Sequence, residues 1–203
     1  DALALEFARD LREGFERRGQ AVKGRPPTLV VDSLALHIDM AARKAQWFYG
    51  KEGLTHPIPL SLNAIVKAYD QQRKSIAQRS IDVPAFLAEL YQAWQDQLAK
   101  RQKAPPGKRI NIVEIYSQVT LNRQSQRFWN SPSRSNFKDY ERAHFVRDLV
   151  LAQAAPTVEA EGKLHHLRLG VATKSQADNP MRSIWLPQTA LDGDYYSDLT
   201  FAA

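Results

Sequence analysis

Histidine is the side chain best suited to proton transfer and metal binding near neutral pH, and its spacing decides what it can do. The sequence has five histidines: His37, His56, His144, His165 and His166. His165 and His166 are neighbours, so on a strand they point to opposite faces. No pair has the His-x-x-x-His or His-Glu-x-x-His spacing of a helical zinc site, and the chain has no cysteine to supply a thiolate. Local spacing therefore predicts no metal site.

The segment Glu161-Gly162-Lys163 matches the (Asp/Glu)-x-Lys end of the motif found in many metal-dependent nucleases. That chemistry needs a further carboxylate on a nearby strand to hold Mg²⁺. Asp148 falls in a predicted helix and Glu159 in the same predicted hairpin, so a second ligand is missing. Phosphate-binding glycine loops and the Gly-x-Ser-x-Gly elbow are absent as well. We therefore expect a non-catalytic protein that needs no cofactor.

Charge is the next feature that could carry a function, because Lys and Arg attract polyanions. The 203 residues include 28 Lys+Arg and 22 Asp+Glu, a net charge of +6. Residues 100–147 hold eleven basic and three acidic side chains, a net charge of +8, whereas residues 156–203 have a net charge of −2. We call residues 100–147 the basic belt. With 43% hydrophobic residues the composition is that of an ordinary globular protein, which argues against a disordered chain.

Hydrophobic periodicity predicts which elements carry this charge. Four helices are expected in the first half of the chain, over residues 3–19, 32–49, 61–74 and 82–103. Phe86, Leu90 and Trp94 recur every four residues after Asp82, which is a good N-cap. The helix is expected to stop at Ala104-Pro-Pro-Gly107. Residues 111–121 could be a helix or a strand, and a helix is favoured because Asn111 and Glu114 resemble a capping box.

The remaining residues predict a polar loop, a helix and a few strands. The loop is expected over residues 122–135, the helix over 136–153, a hairpin over 157–173 and a strand over 181–186. We therefore predict a mainly α fold with a small antiparallel β-hairpin or sheet near the C-terminus (α+β). Residues 1–103 form a helical region and residues 108–203 a helix-helix-hairpin region, or the two make one continuous domain.

The order helix, turn, helix, hairpin in the second half is similar to the order of elements in a winged-helix module. The connection over residues 122–135 is longer than the ~3–4 residues of a standard helix-turn-helix turn, which counts against that arrangement.

The basic belt predicts nucleic-acid binding, with DNA expected over RNA. Arg and Lys neutralise phosphates, Arg123 and Gln124 could read base edges, and Phe128 and Trp129 could stack on the bases of a single strand. The predicted contacts are Arg123, Gln124, Arg127, Trp129, Arg134, Lys138, Arg142, Lys174 and Arg182. The competing interpretation is a solvated charged face, with Phe128 and Trp129 anchoring a loop to the core.

A second function class rests on the acidic aromatic end of the chain. Residues 191–198 offer oxygen ligands but lack the twelve-residue calcium loop and its final Glu. We instead predict a tail that packs Tyr195, Tyr196 and Phe201 against the body or a partner, as in an adaptor subunit of a larger assembly. No stretch approaches the ~20 apolar residues of a membrane span, and the N-terminal residues show no signal pattern. We expect no membrane contact and a cytoplasmic location.

Overall fold

Strands and helices share the chain more evenly than the hydrophobic pattern predicts. The computed structural model describes residues 2–203, of which 41% are helical and 26% lie in strands. The prediction of a mainly α fold is therefore wrong, because the protein is α+β with two antiparallel sheets. The chain forms two compact units, one of residues up to Arg79 with Pro187–Gly193, the other of Ser80–Leu186 with Asp194–Ala203. Among residues 2–203, no helix combines the length and the apolar character that crossing a bilayer requires.

The first unit combines two helices with a meander of short strands. Its elements are α1 (Ala2–Glu16), β1 (Val22–Arg25), β2 (Thr28–Val31), β3 (Leu34–Asp39), β4 (Lys44–Tyr49), β5 (Glu52–Gly53), β6 (Ile58–Pro59) and α2 (Leu62–Gln72). The sheet order is β1-β2-β3-β4-β5, with β6 paired to β4. A π-helical turn, Arg73–Ala77, extends α2. The predicted helices over 3–19 and 61–74 are thus confirmed, with ends that differ by one to three residues.

The helix predicted over residues 32–49 is wrong, since this segment forms strands β3 and β4. Asp32 does not cap a helix, because it takes a positive φ of 52° in the turn between β2 and β3. The Asp39 carboxylate accepts a hydrogen bond from the Ala42 N–H and helps to form the next turn. In β4, burial alternates with a period of two, with Ala45 and Trp47 among the buried positions. This alternation is typical of a strand with one buried face.

Three aromatic rings form the centre of the first unit. Phe15 packs edge-on against Trp47 and Tyr69, with ring centroids 6.2 and 5.1 Å apart. The Trp47 indole donates to the Ile65 carbonyl, and the Tyr69 hydroxyl donates to the Asp32 carboxylate at 2.6 Å. Burial and the neighbouring Asp32 raise the pKa of Tyr69 above its usual value. The buried polar atoms of these rings are thereby satisfied within the core.

The second unit contains five helices and the second sheet. Its elements are α3 (Val83–Ala99), β7 (Ile110–Asn111), α4 (Ile112–Asn122), α5 (Gln126–Asn130), α6 (Arg142–Ala152), β8 (Thr157–Ala160), β9 (Lys163–Val171), α7 (Lys174–Ala177), β10 (Ile184–Pro187) and β11 (Gly193–Ala202). The sheet order is β10-β11-β9-β8, with β7 paired to β11. The hairpin of β8 and β9 is confirmed, as are the helices over 82–103 and 111–121.

The winged-helix-like arrangement is also wrong. The hairpin belongs to a five-stranded sheet instead of forming a separate wing, because β11 lies between β9 and β10. Residues 193–202, predicted as part of a tail, form this inner strand and bury Leu199 and Phe201. The helix predicted over 136–153 begins only at Arg142. Acidic residues such as Asp198 interrupt the apolar pattern from which a strand would be predicted. In the fold, Arg109 pairs with the Asp198 carboxylate at 2.7 Å.

Candidate nucleic-acid interface

Residues 124–138 form a loop that we call the closed loop. The side chain of Gln124, its first residue, bonds to the backbone of Lys138, its last residue. Its amide nitrogen donates to the carbonyls of Thr120 at 2.8 Å and Lys138 at 2.9 Å, and its amide oxygen accepts from the Lys138 N–H at 2.8 Å. The two bonds to Lys138 satisfy both backbone polar groups of that residue. Gln124 is only 7% exposed, and its amide nitrogen and amide oxygen both have partners within the fold.

The closed loop is packed by its own side chains. Ser125 caps α5 by accepting from the Phe128 N–H, and the Asn136 amide donates to the Ser131 carbonyl at 2.8 Å. The Phe128 ring lies between Trp129 and Phe137, with centroids 5.2 and 5.5 Å away. Compact surface loops that close on themselves in this way are frequently functional. The sequence predicts the polar loop but gives no sign of its closure.

Trp129 is the exposed member of this aromatic cluster. Its side chain is 52% exposed, whereas the other three tryptophans are at most 7% exposed. Among residues 2–203 it is the only Phe, Tyr or Trp in the exposed class. Large aromatic side chains usually contribute to a core or an interface because they bury much apolar area. The structure therefore leaves one indole accessible on a loop that is otherwise polar.

Three cations of the closed loop are exposed and unengaged. The side chains of Arg127, Arg134 and Lys138 have no hydrogen-bond or ion-pair partner within residues 2–203. The sequence contains no Asp or Glu between Glu114 and Asp139, so no carboxylate within this stretch offsets their charge. The loop consequently combines free positive charge with an exposed ring, which is the combination that the predicted contacts require.

Arg123, another predicted contact, has partners within the fold. Its guanidinium makes a two-point contact with the Glu89 carboxylate of α3, at 2.6 and 3.2 Å, and lies 3.9 Å from the centroid of the Tyr140 ring. Desolvation lowers the pKa of Arg123, but the hydrogen bond to Glu89 and the nearby Tyr140 and Asp148 outweigh this and raise it. Tyr140 in turn donates to the buried Asp148 at 2.6 Å. Arg123 thus joins α3 to the end of α4 and is engaged within the fold.

The remaining predicted contacts lie outside the closed loop. Arg142 donates to the carbonyls of Pro180 and Ser183, both at 2.7 Å, which ties α6 to the segment before β10. Lys174 begins α7 and Arg182 precedes β10, and both are exposed. No hydrogen bond or ion pair within residues 2–203 joins either side chain to the closed loop. The structure therefore gathers only part of the predicted set in one place.

Several other cations of the basic belt form ion pairs or hydrogen bonds with residues of the second unit. Arg101 pairs with Glu114 at 2.5 Å, and Lys100 donates to the Gln118 amide oxygen. An open groove of about 440 Å³ borders the closed loop, and its lining includes Phe137, Asp139 and Glu141. The two carboxylates are exposed and limit the positive region on that side. The belt is therefore not one uniform cationic face, and its free charge is concentrated in the closed loop.

Comparison with known proteins assigns no family, since no family model, no curated protein and no solved structure matches the chain. Within residues 2–203, no group of three or more His, Asp or Glu side chains is placed to hold a metal ion. A function must therefore be argued from the geometry of the closed loop itself.

Gln124→Ala is expected to lower the free energy of unfolding by about 1–3 kcal/mol, because the Lys138 backbone loses its hydrogen-bond partner. Urea denaturation measures this loss, and limited trypsin digestion should show faster cleavage after Arg127 and Arg134. Gln126→Ala is the matched control, since that amide donates to the exposed Asn130 side chain and not to the backbone of the loop. Equal cleavage of Gln124→Ala and wild type would contradict closure by Gln124.

Proposed function

We propose that this protein binds nucleic acid without catalysing a reaction, and that the closed loop is the binding surface. The observation that carries the proposal is the set of three exposed, unpartnered cations in the same loop as an exposed indole, in a stretch without carboxylates. Arg127, Arg134 and Lys138 are the phosphate contacts in this proposal. DNA is the first ligand to test and RNA the second, and a cytoplasmic location is part of the same proposal.

The free energy of binding in this proposal comes from the release of counterions from the phosphate backbone. Each phosphate that Lys or Arg neutralises frees condensed cations, which makes binding favourable and dependent on salt. Polar residues of the loop add hydrogen-bond donors for phosphate oxygens. These are Asn130, Ser131, Ser133 and Ser135. Cations that already pair with carboxylates, such as Arg123, add little net charge at the loop.

The direct test is the affinity of the intact protein for labelled DNA and RNA oligonucleotides as a function of salt. Fluorescence anisotropy between 50 and 200 mM salt should give a slope of log affinity against log salt of about −2 to −3, as expected for three phosphate contacts. Absence of binding at 50 mM salt, or an affinity that does not change with salt, would overturn the proposal.

The alternative function, an adaptor that docks through residues 188–203, stays a prediction. Most of that segment is strand β11, whose Ser197, Leu199 and Phe201 are buried in the second unit. A partner would therefore reach the exposed residues that precede this strand, such as Leu191, and the side chains that the strand leaves exposed, such as Asp194.

A further inference from the structure

The helices of the second unit bear on which form of nucleic acid the closed loop can bind. A helix that reads duplex DNA through the major groove presents exposed side chains to base edges and phosphates. Helices α3 and α4 contain no Lys or Arg. In α6, Arg142 bonds to backbone carbonyls, and Arg147 is half-buried with its Nε atom fully buried. None of these three helices offers a free cationic face.

The two remaining helices of this unit are too short for the same task. Helix α5 has five residues and α7 has four. At 1.5 Å per residue, α5 is only about 7–8 Å long, less than the ~12 Å width of the major groove. The cations of the closed loop therefore lie on a five-residue helix and its flanking loop and not along a groove-filling helix.

A single strand makes a different demand, which the closed loop meets. Its bases are unstacked and accessible, and proteins hold them on aromatic side chains while cations follow the backbone. Trp129 is the exposed ring, and Arg127 lies two residues before it on the same short helix, a spacing that puts the cation and the indole on different sides of that helix. Packing of Phe128 against both Trp129 and Phe137 supports the indole from one side. The ring is thus held on the loop while half of its surface stays accessible.

We infer that the closed loop binds single-stranded nucleic acid, with one base stacked on the Trp129 indole and flanking phosphates on Arg127, Arg134 and Lys138. This inference rests on the proposed function and narrows its ligand to a single strand. Exposed tryptophans also occur at protein interfaces, where a rim of mixed polar residues surrounds them. The charged residues within residues 115–138 are all basic, which favours a polyanion.

The intrinsic fluorescence of the protein provides a test at the level of one residue. Trp47, Trp94 and Trp185 are buried, so Trp129 is the tryptophan that a ligand can reach. We expect twelve-nucleotide oligo(dT) and oligo(U) to quench this emission on binding, and a duplex of equal length to bind more weakly without quenching. The two single strands also distinguish DNA from RNA as the preferred ligand.

Trp129→Leu should weaken single-strand binding about 5- to 150-fold, the range that corresponds to one base stacked on an aromatic ring. Trp129→Tyr should restore most of the affinity, because it restores an aromatic face. The salt slope should stay unchanged in both variants, since neither alters a cation. Leu164→Ala is the matched control, because it removes an apolar side chain of similar exposure, 53%, from β9. Urea denaturation of each variant checks that the fold is retained.

The outcomes separate this inference from the function on which it rests. Equal, salt-dependent binding of duplex and single strand, unaffected by Trp129→Leu, would overturn the stacking inference and leave the proposed function standing. Absence of salt-dependent binding to any nucleic acid would overturn both. Equal quenching by poly-glutamate would show an acidic polypeptide ligand and would also overturn the inference.

Discussion

Replacing Arg127, Arg134 and Lys138 together by Gln is expected to remove most of the salt dependence of nucleic-acid binding. Each phosphate contact to a single strand contributes about 0.7 to the slope of log affinity against log salt, so the slope should become shallower by about 2. Between 50 and 200 mM salt, the wild type should lose about 20-fold more affinity than the variant. All three side chains are exposed, so stability should change little.

Anisotropy titrations at four salt concentrations measure these slopes. A matched control replaces three exposed lysines of the first unit, Lys44, Lys67 and Lys74, by Gln. The control loses the same formal charge, so it separates local phosphate contacts from the effect of net charge. An equal change of slope in both triple variants would show that the closed loop is not the binding surface.

Arg123→Ala is expected to lower the free energy of unfolding by about 2–3 kcal/mol and to leave the salt slope unchanged. The variant removes a two-point charged hydrogen bond to Glu89 and the contact with the Tyr140 ring, each of which contributes to stability. Partial exposure of the pair keeps the effect below that of a fully buried ion pair. Arg123→Lys keeps the charge but loses the planar fork, so about half of the loss is expected to remain.

Urea denaturation of Arg123→Ala, Glu89→Gln and the double variant forms a cycle that isolates the pair from its surroundings. We expect the two single losses to exceed the double loss when added together, because both variants break the same contact. Full additivity would contradict a direct pairing. A flatter salt slope in Arg123→Ala would show that Arg123 contacts phosphate and is not engaged only within the fold.

Local signals in the sequence predicted the parts of the fold that depend on neighbouring residues. Asp82 accepts from the Ala85 N–H and begins α3, and Asn111 accepts from the Val113 and Glu114 N–H groups and begins α4. Both caps are made within three residues of the cap itself. Such interactions are readable from spacing alone because no distant partner takes part.

The segment over residues 32–49 could not be assigned by the same means. Apolar residues such as Leu34 and Ile38 fit a helical period, and the sequence alone leaves a short apolar run ambiguous. Their actual partners are residues of the neighbouring strands, for example Ala45 opposite Ile38. Pairing across a sheet depends on non-local contacts, which override the local helical pattern.

The candidate site likewise combines features that local sequence predicted with features that depend on distant residues. Charge composition predicted the stretch of chain on which the proposed function rests, and Arg127, Trp129, Arg134 and Lys138 lie in the closed loop. The sequence did not separate them from Arg123, whose partner Glu89 lies 34 residues away. Whether a cation is free or engaged depends on such distant carboxylates. The exposure of Trp129 and the bonds of Gln124 likewise arise only when the chain folds back on itself.

The position of β11 in the second sheet has a consequence for how the protein is made. This strand pairs with β9 and lies beside β10, yet it follows both in the order of synthesis. A ribosome adding about 5–20 residues per second needs roughly 1–4 s to proceed from Val171, where β9 ends, to Gly193, where β11 begins. During that interval β9 has an open edge that another nascent chain could pair with. Slow translation or a chaperone that covers β9 would therefore affect the yield of folded protein.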